Sequence, residues 1–260
     1  MRTTPLDHAA AGMTADAEEA VRRRFYERLA DTELYVILES EASGERVSPR
    51  VFETSEGRFA VAFDLAERLA GFTSQPTPTM TIAGRALMAM LAGRGIGLGI
   101  NPGVAPSSHL LPPEAVDWIA MAAGAQPSRR NELPQRFGPA GAISPALKEA
   151  LRSKLNAIAG VAGAAYLATG VFLDGRRSVV ISLFDVPPAF HKAVATAVTD
   201  AVVFCGEAPA APDVLLLASR SPEAREIRKV GDPLELARPD PPTSSGPGPG
   251  RDPAEPPRLR

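Results

Sequence analysis

The sequence predicts an α/β (α+β) chain, with a larger mixed α/β N-terminal domain followed by a smaller αββαβ sandwich domain. Three observations carry this. Apolar runs of strand length alternate with apolar stripes at helical spacing as far as residue 217. Between about Gly124 and Ala142 that periodicity is lost, and Gly, Pro and Arg accumulate. From about Ser221 onward the chain turns to Pro, Gly, Ser and charge, with almost nothing to bury. The division expected is an N-terminal domain over 1–123, a linker over 124–142, a C-terminal domain over 143–220 and a disordered Pro-rich tail over 221–260.

Thr4-Pro5-Leu6-Asp7 opens a helix. Thr4 caps it, Pro5 suits the first helical position, and Asp7 stands three residues after the cap. Thr14 caps a second helix with Val21, Phe25 and Leu29 at spacing four. Its Arg22, Arg23 and Arg24 stand among Glu18, Glu19 and Glu27, which reads as a solvated face with local ion pairs. Residues 34–38 form a continuous apolar run, suited to a strand buried on both faces. Residues 51–54 and 58–63 flank the turn Ser55-Glu56-Gly57 and predict a hairpin. Asp64 caps the following helix with Glu67 as its box partner, Leu65 and Leu69 turned inward and Gly71 at the end.

A short strand over 80–82 and a helix over 85–91 come next. Gly95-Ile96-Gly97-Leu98-Gly99-Ile100 then predicts a strand with bare backbone on one face and Ile96, Leu98 and Ile100 on the other. Asn101-Pro102-Gly103 is turn chemistry, and Pro112-Pro113 opens a helix bearing Val116, Trp118 and Ile119. Past the linker, Ser144-Pro145 starts a helix with Leu147, Leu151, Leu155 and Ile158 on one stripe. A strand centred on Tyr166-Leu167, the hairpin signal Asp174-Gly175 and a strand over 178–184 follow. A helix from Pro187-Pro188 to about Phe204 and a strand over 213–217 complete one helical layer on a mostly antiparallel sheet.

Composition excludes more than it selects. A net charge of −2 sets up no field to gather nucleic acid or an anionic membrane. The single cysteine, Cys205, excludes an intrachain disulfide framework and a multi-cysteine metal site. It falls at the C-terminal end of a predicted helix, where the dipole disfavours a thiolate. His8, His109 and His191 do not pair at ligand spacing, so no metal is expected. The alternating glycines do not match G-x-G-x-x-G running into a helix, and neither the phosphate-loop pattern nor G-x-S-x-G occurs. No catalytic residue and no cofactor is therefore nominated. The start has no long apolar segment, and no apolar run approaches the roughly 20 residues that cross a bilayer. The expectation is a cytoplasmic protein.

One stretch offers a candidate ligand or partner site: Gly97, Gly99, Asn101 and Gly103. Glycines at alternate positions either let a strand pack closely against its neighbours or clear space for a ligand near the turn.

The order of segments resembles the SseB family, the enhanced serine sensitivity proteins. The resemblance is carried by TPLD, RFYERLADTELYVIL, GRFAVAFDLAERLAGF, AGRALMAMLAGRGIGLGINPG and PPEAVDWIA, over most of residues 3–122. Residues 144–218 resemble the family's C-terminal domain less specifically. The family is named for a growth phenotype, increased sensitivity to serine when extra protein is present, and the resemblance brings no catalytic residue. Good core patterns without a catalytic constellation lead to the expectation of a non-enzymatic protein that binds a protein partner or a small metabolite. Two other readings stay open: amino-acid sensing through the C-terminal sandwich, and catalysis at the 101–103 turn.

Overall fold

The computed structural model describes residues 2–14, 16–41, 48–73, 75–125, 132–141, 143–158, 160–206 and 212–236. The N-terminal half runs α1 (Pro5–Ala10), α2 (Glu19–Asp31), β1 (Glu33–Ile37), β2 (Val51–Thr54), β3 (Gly57–Phe63), α3 (Ala66–Phe72), β4 (Thr79–Ala83), α4 (Gly84–Leu91), β5 (Gly97–Ile100), β6 (His109–Leu111) and α5 (Pro113–Ala123). The C-terminal half runs β7 (Arg136–Gly138), α6 (Pro145–Ala157), β8 (Ala164–Val171), β9 (Arg177–Phe184), α7 (His191–Cys205), β10 (Asp213–Leu217), α8 (Pro222–Val230) and β11 (Asp232–Leu234). The fold is α+β, with two mixed sheets.

The first sheet has the order β4-β1-β3-β5-β6, with β2 also paired to β3. Only β3 and β5 are parallel in it; the other ladders are antiparallel. The period of two sorts its faces. Leu34, Val36, Ala60, Ala62, Leu98 and Ile100 enter one core with Leu6, Phe25, Leu87, Val116 and Ile119 of the helices. The opposite face holds Ile37, Val61 and Phe63, covered by Leu69 of α3 and by Val104.

The second sheet has the order β10-β9-β8-β11, with β7 also paired to β8. The hairpin at Asp174-Gly175 joins β8 to β9, and β10 lies parallel to β9. Leu147, Leu151 and Leu155 of α6 and Val194 and Val198 of α7 fill the core on one face. The other face is closed by α8, whose Ala224 and Ile227 pack with Phe184, Tyr166 and Leu217.

That helix corrects the expected disordered tail at its start. Residues 222–234 form α8 and β11, and β11 pairs with β8. Ser221 accepts from the Ala224 N–H as a helix cap. Two apolar side chains three apart are enough to dock so short a helix, a pattern hidden among its charges. The rest of the expected tail, from residue 237, lies outside the described residues. The expected linker likewise contributes β7, because an extended segment there completes the edge of β8. The single helical layer becomes two.

Two further expectations are corrected. The second helix begins at Glu19, with no side-chain cap, rather than from Thr14. Arg22 and Arg23 pair with Glu19 on its exposed face, as the local charge pattern predicts. At α3 the cap position is Leu65 and makes no side-chain bond, so Asp64 and Glu67 form no box. The residue that α3 buries is Arg68.

The two halves meet through α2, α4, α6 and α7. Arg85 Nη2 lies 2.7 Å from Asp31 Oδ1 and 2.8 Å from Asp200 Oδ2. Lys154 pairs with Asp31 and lies 3.3 Å from Glu27. Burial raises the Glu27 carboxyl, against the pull of Lys154. Beside these charges Trp118 meets Phe204 edge to face at 5.6 Å, with the Arg23 guanidinium 5.5 Å from the Trp118 ring. Among the described residues no helix is long and apolar enough to cross a membrane.

Candidate functional site

Parallel strands end together, and in open α/β sheets the crevice beyond their carboxyl ends is the usual ligand position. In this chain the parallel pair β3 and β5 ends at Phe63 and Ile100, so the next residues, Asp64 and Asn101, stand side by side. The Asn101 N–H donates to Ala62 O at 2.9 Å and extends the ladder by one bond. Its backbone then turns to φ 46, a region asparagine enters more readily than most residues. The Asn101 side chain is fully buried and braces both strand ends. Its Oδ1 accepts from the Asp64 N–H at 3.2 Å, and its Nδ2 donates to Ser107 Oγ at 2.8 Å.

A buried ionic network is built on this base. Asp64 and Arg68 are one helical turn apart, and Arg68 Nη1 donates to Asp64 Oδ1 at 2.7 Å and Oδ2 at 3.0 Å. The other half of the guanidinium turns to α1, where Nη2 donates to Asp7 Oδ2 at 2.5 Å and to Arg2 O at 2.9 Å. Asp7 accepts in addition from Ser107 Oγ at 2.6 Å, from the Ser107 N–H at 3.2 Å and from the Thr4 N–H at 2.9 Å. Thr4 caps α1 through the Asp7 N–H and donates its own hydroxyl to Asp64 Oδ2 at 2.6 Å. The capping box expected at Thr4 and Asp7 is present, and it is also a clasp between α1 and the sheet.

The side chains of Arg68, Asp7 and Asp64 are 1%, 2% and 2% exposed, so this is an interior ion cluster. Burial alone would raise the Asp7 carboxyl. Hydrogen bonds from Arg68, Ser107 and Thr4, with the Arg68 charge, outweigh burial and hold the group well below the usual carboxylate range. Asp7 is thus an ionised acceptor at neutral pH, not a proton carrier. Thr4→Ala removes the cap and the bond to Asp64 together, and is expected to lower the unfolding free energy by about 1–2 kcal/mol in a urea titration.

A cleft of about 520 Å³ opens beside this network, between Glu67, Arg68 and Gly71 on α3 and the segment from Gly103 to Pro106. A Cβ added at Gly71 or Gly103 would meet nothing within 4 Å, so both glycines border open space. The four residues singled out in the sequence therefore separate. Asn101 and Gly103 belong to the network and to the cleft wall. Gly97 lies against the Phe59 ring and the Leu111 carbonyl, and Gly99 faces Leu110 and Val61, so the protein's own side chains occupy that face of β5. Arg68, Asp7, Asp64 and Ser107 do not stand out in the sequence as site residues. The i,i+4 pair Asp64/Arg68 and the box at Thr4 are both readable, but nothing local joins them.

No group of three or more His, Cys, Asp or Glu among the described residues could hold a metal ion. Cys205 packs at the edge of the C-terminal core, and His191 Nε2 lies 3.0 Å from Val186 O.

Residues 6–118 match the SseB protein N-terminal domain family. No curated protein and no solved structure matches the chain. The matched span holds β1 to β6 and, apart from Thr4 and Arg2, every residue of the buried network. Residues 6–118 of the chain thus carry an SseB protein N-terminal domain.

Proposed function

We propose that this protein works by binding: a non-enzymatic, cytoplasmic protein of two domains that holds a small metabolite or a protein segment in the cleft beside Arg68 and so modulates serine sensitivity. One observation carries the reading. The two buried acids behind the cleft are consumed in fixing its wall, since Asp7 and Asp64 both engage Arg68 and Asp7 also takes Ser107. Such a network holds a shape and leaves no acid or base of its own to move a proton.

The test is a thermal-shift series with serine, cysteine and related amino acids at millimolar concentration. A ligand at about 100 times its dissociation constant adds roughly 2.7 kcal/mol, a rise of about 5 °C or more in Tm for a chain of this size. Ala105→Trp, which fills the cleft from its wall, should abolish the rise. Uniform absence of a shift counts against a metabolite in this cleft. A second reading, catalysis at the same place, draws on Glu67 at the rim of a cleft beyond parallel strand ends. Mass spectrometry of a bound ligand recovered unchanged after prolonged incubation would remove it.

A further inference from the structure

A second pocket, of about 360 Å³, shares no lining residue with the first. Its polar groups are Thr14 beyond α1, Arg22 and Tyr26 on α2, and His109 on β6; Met13 and Leu111 supply apolar wall. Arg22 contacts Glu19 Oε2 through Nε and Nη2, both at 3.2 Å, with the arginine side chain 37% and the glutamate side chain 57% exposed. Such a pair is screened by solvent, so the arginine remains open to a second anion. Burial raises the Tyr26 hydroxyl, which stays protonated and able to donate. Burial lowers His109, so its imidazole is neutral and adds no charge.

His109 is the least expected of the four. Its ring meets Phe25 edge to face at 5.1 Å, and its buried Nε2 has no partner among the described residues. A leucine or phenylalanine would serve packing at this position without leaving a polar atom unpaired. The imidazole thus brings an unpaired polar atom to the wall of a cavity. One cation with two hydroxyl donors selects a monoanion, and the apolar wall selects a hydrocarbon body. A phosphate dianion would ask for more positive charge than one arginine already shared with Glu19.

We propose that this pocket binds a small organic monocarboxylate, its carboxylate on Arg22 and the Tyr26 and Thr14 hydroxyls and its hydrocarbon part against Met13 and Leu111. The protein carries its own reporter. Trp118 is the single tryptophan, and its ring lies 5.8 Å from that of Tyr26. Titration of the full chain with isobutyrate and with cyclohexanecarboxylate, excited selectively at tryptophan, is expected to give a saturable change in emission. Calorimetry on the same samples should return the same dissociation constant. Arg22→Gln, at a partly exposed position, should weaken binding about tenfold or more, and Tyr26→Phe about fivefold by calorimetry. The matching carboxamides and inorganic phosphate should not compete. The proposal is overturned if neither carboxylate saturates, if Arg22→Gln binds as the parent does, or if the carboxamides bind equally well. Because Ala105→Trp fills only the first cleft, it should leave the dissociation constant from calorimetry unchanged.

Discussion

Arg68→Met is expected to lower the unfolding free energy by about 3–5 kcal/mol at neutral pH, the effect of leaving buried charge without its partner. The variant keeps the volume of the side chain and removes its charge, so two carboxylates of 2% exposure face each other without a cation. Arg68→Lys should recover only part of the loss. One ammonium cannot span Asp64, Asp7 and Arg2 O as the planar fork does. The pH dependence distinguishes this cause from a simple cavity. In the parent, Asp7 is held below its ordinary value of 3.8, so its contribution is complete above that pH and is lost as pH falls through the depressed folded value. In Arg68→Met, burial acts on Asp7 without the opposing arginine and favours the protonated form, so acidification relieves the variant. The gap between parent and variant, read from urea titrations at pH 7, 5 and 4, should therefore narrow toward low pH. A gap constant with pH would mean that packing, not charge, sets the loss.

The network also shows how far the sequence could be read. Its two halves are local. Thr4 and Asp7 form a capping box, and Asp64 and Arg68 stand at the helical spacing that pairs charges. Each half has a bland explanation taken alone, a cap in one case and a surface pair in the other. What joins them is a separation of 61 residues between Asp7 and Arg68, closed only when α1 lies across the ends of β3 and β5. The hydrophobic periodicity of α3 misleads at the same point, because its leucines are only partly covered and its arginine is the buried residue. The charges between the halves behave alike: Arg85 and Asp200 are 115 residues apart, and neither stands out in its own helix. By contrast, the hairpins, β5 and most helices of the core are legible, since period and turn chemistry act over a few residues. Helix α8 is hard to read because its apolar positions, Ala224, Ile227 and Val230, stand in a single short run dominated by charge.

Alternating glycines look equivalent in sequence, and the structure makes them unequal. A Cβ on Gly97 would stand 2.5 Å from Phe59 Cδ1 and nearer still to the Leu111 carbonyl, in the ladder that holds β6. Gly97→Ala must therefore push the phenyl ring aside and part β5 from β6, and is expected to cost about 3 kcal/mol, the upper end for overpacking, because a backbone atom cannot turn away. A Cβ on Gly99 would meet Leu110 Cδ1 at 3.6 Å and Val61 Cγ2 at 3.7 Å, which are ordinary contacts. Gly99→Ala should lie within about 0.5 kcal/mol of the parent. Gly103→Ala has open space around it but a backbone at φ 69, so its expected loss of about 1 kcal/mol reflects strain rather than collision. Three alanine variants thus give a large, a negligible and an intermediate loss on one urea axis. If Gly97→Ala is as stable as Gly99→Ala, Phe59 does not lie over Gly97 as described, and the glycine face of β5 is open to a ligand after all.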